Sequence, residues 1–173
     1  MSAKTILSVE HKVKKSKDLK KAFEDMMRSS IYVGIANDSS KNSRKDGAPI
    51  TNAQLGYIHE RGSPAANIPP RPFLEPGVKS AKEKIEKGLE RAAKMAMSGD
   101  EKGFEAQMER VALSSASAVK GYMRSGEFAP LSETTVRKRL EKIEKSGGTG
   151  SAIKPLIDTA SLLNAIEGVV VKE

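Results

Sequence analysis

A chain of 173 residues with 38% apolar and 4% aromatic residues has room for one domain with a modest core of Leu, Ile, Val, Ala and Met. The absence of cysteine excludes disulfides, thiol nucleophiles and thiolate metal sites, and fits a reducing cytoplasm. The formal charge of +8, from 30 Lys and Arg against 22 Asp and Glu, leaves nucleic acid or acidic partners open, while the N-terminal "MSAKTILSVEHKVKKSKDLKK" lacks the apolar run of a secretion signal and no stretch reaches the ~18 apolar residues of a membrane span.

In chain order, "TILSVEHKV" (Thr5–Val13) alternates well enough for a strand. Residues Ser16 to Ser29 predict a helix, with Ser16 as cap and Leu19, Ala22, Phe23, Met26 and Met27 on one stripe. "SIYVGIA" (Ser30–Ala36) follows as a strand with Ile31, Val33 and Ile35 on one face. Asn37–Pro49 has almost nothing to bury and is expected as a mobile surface loop. Thr51 or Asn52 then caps a helix that turns Ala53, Leu55, Ile58 and Tyr57 inward and stops at Gly62.

The next segment, "NIPPRPFLEPG" (Asn67–Gly77), holds four prolines in eleven residues. Each proline fixes φ near −65° and removes a donor, and each presses its predecessor toward extended geometry, so a rigid extended arm is expected. From Val78 the spacing of Ala81, Ile85, Leu89, Ala92 and Ala96 predicts a helix. Gly99 and Asp100 break it, and a second helix over 102–124 carries Phe104, Met108, Val111, Ala112, Ser115, Val119 and Tyr122; so short a break implies an antiparallel hairpin over 78–124.

Ser132 caps a further helix with Val136, Leu140 and Ile143 inward, and "SGGTGS" (Ser146–Ser151) reads as a flexible linker. A short helix over Ala160–Ile166, capped by Asp158 or Thr159, leads to a closing strand, "EGVVVKE". That strand is expected to pair with Ile31–Ala36, and Thr5–Val13 is a further candidate. The fold class is therefore α+β: a small, twisted, mostly antiparallel sheet packed against long helices.

A search for chemistry gives little. His59-Glu60 lacks the second histidine one turn on, where Ser63 stands. "SGGTGS" lacks the lysine of a phosphate-binding loop, no nucleophile elbow is present, and capping or surface pairing accounts for Glu60, Glu75 and Asp158. No catalytic, metal or cofactor residue is assigned, and neither a membrane nor a small-molecule substrate is expected. The basic runs His11–Lys21 and Arg137–Lys145 are interrupted by acids at helical spacing, which marks solvated faces. The aromatics are too scattered for a single-strand stacking platform, so a basic nucleic-acid-binding module stands as the alternative function.

Three pieces stand in fixed order: "IYVGIAND", "NAQLGYIHERGSPAANIPPRPFLEPGV" and "PLSETTVRKR…KPLIDTASLLNAIEGVVV". Their succession, spanning roughly Ile31 to Val171, resembles the neck and tail-completion proteins of tailed bacteriophages, with Ala160 where that family usually has glycine and Arg61 where it commonly has Phe or Tyr. The resemblance implies a structural, non-enzymatic virion protein, made in the host cytoplasm and forming a homo-oligomeric, hexameric ring at the head–tail junction. Such a ring meets neck, connector or tail-tube neighbours and leaves a passage that DNA contacts weakly.

On that reading the stiff arm is an interface. Arg71 and Phe73 are its expected anchors, since arginine and aromatics are enriched at hot spots, with Leu74, Pro69, Pro70, Pro72, His59 and Glu60 on the same surface. Ser40, Lys41, Arg44 and Lys45 belong to a loop expected to order on assembly. The alternative left open is that Phe73 and Leu74 plug the chain's own core while Arg71 bonds a nearby carbonyl or carboxylate.

Overall fold

The computed structural model describes residues 19–35, 49–146, 154–156 and 160–173. The expected strand Thr5–Val13, the loop residues Ser40, Lys41, Arg44 and Lys45, the linker beyond Ser146 and the caps Asp158 and Thr159 lie outside the described residues. Helix α1 (residues 19–28) runs directly into strand β1 (Ser29–Gly34). Helices α2 (Asn52–Arg61), α3 (Leu74–Ser80), α4 (Lys82–Met97), α5 (Glu101–Ser125), α6 (Glu133–Ser146) and α7 (Ser161–Ala165) follow, and β2 (Glu167–Lys172) closes the chain. The fold is α+β: β1 and β2 form a two-stranded antiparallel sheet beside long helices, as expected, and Glu173 N–H extends the ladder to the Arg28 carbonyl at 2.8 Å.

Contacts gather into two compact units. The first comprises the described residues up to Tyr32 with Glu83–Ser114 and Val169–Glu173; the second comprises the described parts of Val33–Lys82 and Ser115–Gly168.

In the first unit, Ala92 and Ala96 of α4 pack on Phe104 and Met108 of α5, and Ala22, Met26, Ile31 and Val170 close over them. The inward row of α4 is Gly88, Ala92 and Ala96. Small residues in that row let α5 come close, and the Gln107 amide donates to the Gly88 carbonyl at 3.3 Å. Leu89, expected inward, stands at the exposed edge of this row. The turn between the helices uses Gly99 at φ +84°, and Asp100 caps α5 by accepting from Gly103 N–H at 2.9 Å.

In the second unit, Phe73, Ala116, Val119, Met123, Leu156, Leu162, Leu163 and Ile166 form the core, flanked by Val33, Ile35, Leu55, Leu74, Val78 and Phe128. Thr51 begins α2 with a reciprocal capping box to Gln54. The inward positions of α2 are Asn52, which exchanges hydrogen bonds with Ser161 at 3.0 and 3.2 Å, and Gly56; Tyr57, expected inward, is 69% exposed. In α6, Leu140 also points outward, and Arg139 turns in to donate to the Lys154 carbonyl at 2.9 Å.

Two expectations need correction. The proline segment is not extended to Gly77, because α3 begins at Leu74 and takes in Pro76. A helix tolerates proline in its first turn, where the missing N–H has no partner to lose. The helix expected from Val78 is also interrupted: Ala81 N–H bonds the Val78 carbonyl and the Ser80 hydroxyl bonds the Gly77 carbonyl, which ends α3 before α4 begins.

Packing and backbone strain at two small residues give opposite expectations for the same kind of exchange. A Cβ on Gly77 would lie 2.7 Å from the Val119 Cα in α5, and that atom is backbone and cannot swing aside. Gly77→Ala is therefore expected to lower stability by about 1–3 kcal/mol, although alanine is the better helix former by about 1 kcal/mol. Urea unfolding decides the sign, and a stabilised variant would show that α3 can lift from α5.

Ala160 starts α7 at φ +56°, the left-handed region that alanine disfavours. Ala160→Gly should raise stability by roughly 0.5–1 kcal/mol, the left-handed strain relieved less the flexibility added. An unchanged or lower melting temperature would count against that strain.

Candidate interaction site: a proline hairpin clamped to the core

The site begins where α2 ends. Gly62, at φ +75°, returns its N–H to the Ile58 carbonyl at 2.7 Å, and a Cβ there would meet the Ile68 oxygen and Pro70 nitrogen, both at 2.9 Å. Glycine is needed for the angle and for the space. Ser63 and Ile68 then exchange backbone hydrogen bonds at 2.9 and 3.0 Å, closing a short hairpin whose tip is a 3₁₀ turn over Pro64–Ala66. Asn67 takes the left-handed conformation at φ +51°, which its side chain tolerates best after glycine.

Past the tip, the segment is fastened at three levels. Arg71 N–H donates to the His59 carbonyl at 2.7 Å. The Arg71 side chain, 5% exposed, donates from Nε to the Ala129 carbonyl and from Nη2 to the Pro130 carbonyl, each at 2.7 Å. Burial first, and the nearby Arg139 charge second, lower the pKa of this guanidinium from its ordinary value; arginine nonetheless stays protonated in proteins.

Two residues on, Phe73 is 3% exposed within the second core. The Glu60 carboxylate then accepts from Phe73 N–H at 2.8 Å and Leu74 N–H at 3.0 Å, with Glu75 N–H at 3.5 Å. An anion thus sits where α3 exposes its first amides and the positive end of its dipole. Glu75 itself pairs with Lys79, whose hydrogen bond and charge hold its carboxyl below the usual range.

The expected anchors are therefore corrected. Arg71 and Phe73 face inward and serve the chain's own fold, as in the alternative left open by the sequence: Phe73 enters the core and the guanidinium donates to two carbonyls. Leu74 is half-buried against the same core, and His59 and Glu60 are half-buried behind the hairpin. Pro69, Pro70 and Pro72 are the members of the expected set that remain exposed, together with the tip residues Pro64–Asn67.

Sequence reasoning missed Tyr57 and Arg61, one turn apart on the outer face of α2. The signal was there: Asn52 and Gly56 also lie one turn apart, and they define the face that can approach α7. It missed Ala129 and Pro130 as well, since a carbonyl acceptor has no side-chain signature.

Elsewhere, the first unit has an open groove of about 500 Å³ over Phe104 and Ala96, rimmed by Lys21, Glu101, Glu105 and Lys172. Lys21 bonds Glu101 at 2.6 Å and lowers its pKa, and Glu105 bonds Lys172 and raises its pKa. Asp25 lines the groove as well, so two lysines there face three carboxylates. Among the described residues, no group of three or more His, Asp or Glu is placed to hold a metal ion, and no helix is long and apolar enough to cross a membrane. No protein-family model, no curated protein and no solved structure matches this chain.

Arg71→Met keeps the aliphatic stem but removes two charge-assisted bonds to the Ala129 and Pro130 carbonyls. It should lower stability by about 3 kcal/mol, read by urea unfolding. Arg71→Lys, a point donor in place of a fork, should recover at most half of that loss. Wild-type stability in Arg71→Met would show that the hairpin is held by its prolines alone.

Proposed function

We propose that this chain is a structural subunit of the head–tail junction of a tailed bacteriophage, made in the host cytoplasm and built into a ring, hexameric by analogy with the family it resembles. The ring joins tail to head beside neck, connector or tail-tube proteins and leaves a passage for DNA. The observation that supports this reading is the clamped hairpin: its Arg71 and Phe73 are fixed in the second core while Pro69, Pro70, Pro72 and Tyr57 face outward.

Subunits that dock many times around a ring gain from surfaces ordered before contact. Fixing a residue's backbone costs roughly 1–2 kcal/mol, and here that cost is met during folding, so docking leaves more of the interaction energy as affinity. Proline adds a second advantage. It has no N–H, so a proline edge can be covered by a neighbour without stranding a donor. Tyr57 is amphipathic and of a type enriched at interfaces, and Arg61 beside it brings a planar fork. The contact surface on this reading is thus the outer edge of the hairpin and α2.

The test is light scattering with size-exclusion chromatography, on the chain alone and mixed with neighbouring virion proteins. Tyr57→Ala combined with Pro70→Ala should leave the circular dichroism intact and weaken assembly at least about tenfold, or about 1.4 kcal/mol. Undiminished assembly would refute the hairpin edge as the contact. A persistent monomer that binds duplex DNA with steep salt dependence would replace the whole reading with a nucleic-acid-binding module.

A further inference from the structure

Helix α1 covers the first core with Ala22 and Met26. Its other apolar side chains, Leu19, Phe23 and Met27, are 49%, 59% and 73% exposed. At about 100° per residue these three occupy a strip roughly 80° wide, directly beside the strip that Ala22 and Met26 bury. Lys20, Lys21, Glu24, Asp25 and Arg28 take the rest of the circumference. The apolar face of α1 is therefore wider than its own core needs, and the surplus is one continuous row of large side chains.

We propose that a second copy of this chain covers the row, with α1 lying antiparallel to the partner's α1 about a two-fold axis at Phe23. This goes beyond the ring reading and does not depend on it. The spacing carries the first part of the case: apolar residues stand four before and four after Phe23, so reversing the helix superimposes the pattern on itself. Leu19 then meets the partner's Met27, and Phe23 meets the partner's Phe23, which is the reciprocity of an isologous contact.

Charge carries the second part. Lys20 and Glu24, exposed and 3.8 Å apart, border the row. Antiparallel order puts this rim beside the same rim of the partner and sets Lys20 near the partner's Glu24, a pairing of opposite charges.

Area carries the third. The row leaves on the order of 350 Å² exposed, the size of the largest apolar patch on a typical monomer, which is often functional. Two copies bury roughly twice that plus a rim, below the ~1,200 Å² of stable interfaces, which fits a weak, concentration-dependent dimer.

The absence of native cysteine makes the test clean. Facing helices 8–10 Å apart bring opposed Cα atoms within the 4.4–6.8 Å of a disulfide. Under mild oxidation Phe23→Cys should become a covalent dimer. Leu19→Cys and Met27→Cys should each stay mostly monomeric alone and crosslink when mixed, and this pair keeps Phe23 in place should Phe23→Cys fold poorly. Phe23→Asp should abolish the dimer seen by sedimentation while leaving the melting temperature unchanged.

Three results would overturn the proposal. One is crosslinking of Leu19→Cys alone, or of the control Leu89→Cys, as readily as of Phe23→Cys. Another is a Phe23→Cys thiol that resists a thiol reagent in the monomer, which would mean that the chain covers its own row. The third is a fully reactive thiol in a chain that is monomeric at every concentration, which would leave the row to a different protein.

Discussion

A guanidinium that donates to two neighbouring peptide carbonyls governs the arrangement of the second unit. Arg71 reaches the Ala129 and Pro130 oxygens with two arms of one planar fork, and so fixes distance and orientation together. It stands two residues before Phe73, and a chain pinned at position 71 has little freedom left at 73. Phe73 then enters the core, its amide meets Glu60, α3 begins, and Gly77 arrives against Val119. Each later contact needs the earlier one. Without the fork, the Ala129 and Pro130 carbonyls lose these two donors and the segment leading to Phe73 loses its side-chain tether.

The same clamp determines what the surface offers. A proline-rich segment alternates between residues that can turn in and residues that cannot bond inward through their own N–H. Arg71 and Phe73 take the inward places, so Pro70 and Pro72 are left on the outside. Stiffness and exposure therefore have one cause: the side chains that make the hairpin rigid are the ones it hides, and the edge it shows is poor in donors. Arginine and aromatic residues do mark interface anchors, but they also make the strongest internal fasteners, and position within the fold decides between the two uses.

Much of this was legible in the sequence. The helices with strong apolar spacing were readable almost to the residue, since Phe104, Met108, Val111 and Val119 admit one register; β1 and β2 were readable from β-branched runs, and Thr51 and Ser132 from capping chemistry. What was not legible depended on contacts distant in sequence. Leu74–Ser80 contains a proline and a glycine and is a poor helix by propensity; it is helical because Glu60, fourteen residues earlier, caps it. Tyr57 and Leu140 are apolar enough to predict burial, but Gly56 and Arg139 make the close approaches in their place. At the segment, two readings of Arg71 and Phe73 stayed open in the sequence, and the structure matches the one that turns them inward; what could not be read is which carbonyls receive Arg71, because the acceptors are backbone atoms.

The two proposed contacts would impose different symmetries on an assembly. A row centred on Phe23 that matches its own reverse closes at two copies and offers nothing to a third. The hairpin edge does not read the same in both directions: Tyr57 and Arg61 lie on a helix, the prolines on the strand-like segment beyond it. On the ring reading that surface meets a different one, and repetition of such a contact around an axis produces rings. The smaller, isologous contact is weak by area and fills only where the chain is concentrated, whereas contacts repeated around a ring reinforce one another through closure. On these two proposals the pairing would form wherever the chain is concentrated and the ring only where its neighbours are present, and the hairpin, already ordered by Arg71, would lose little further freedom in docking.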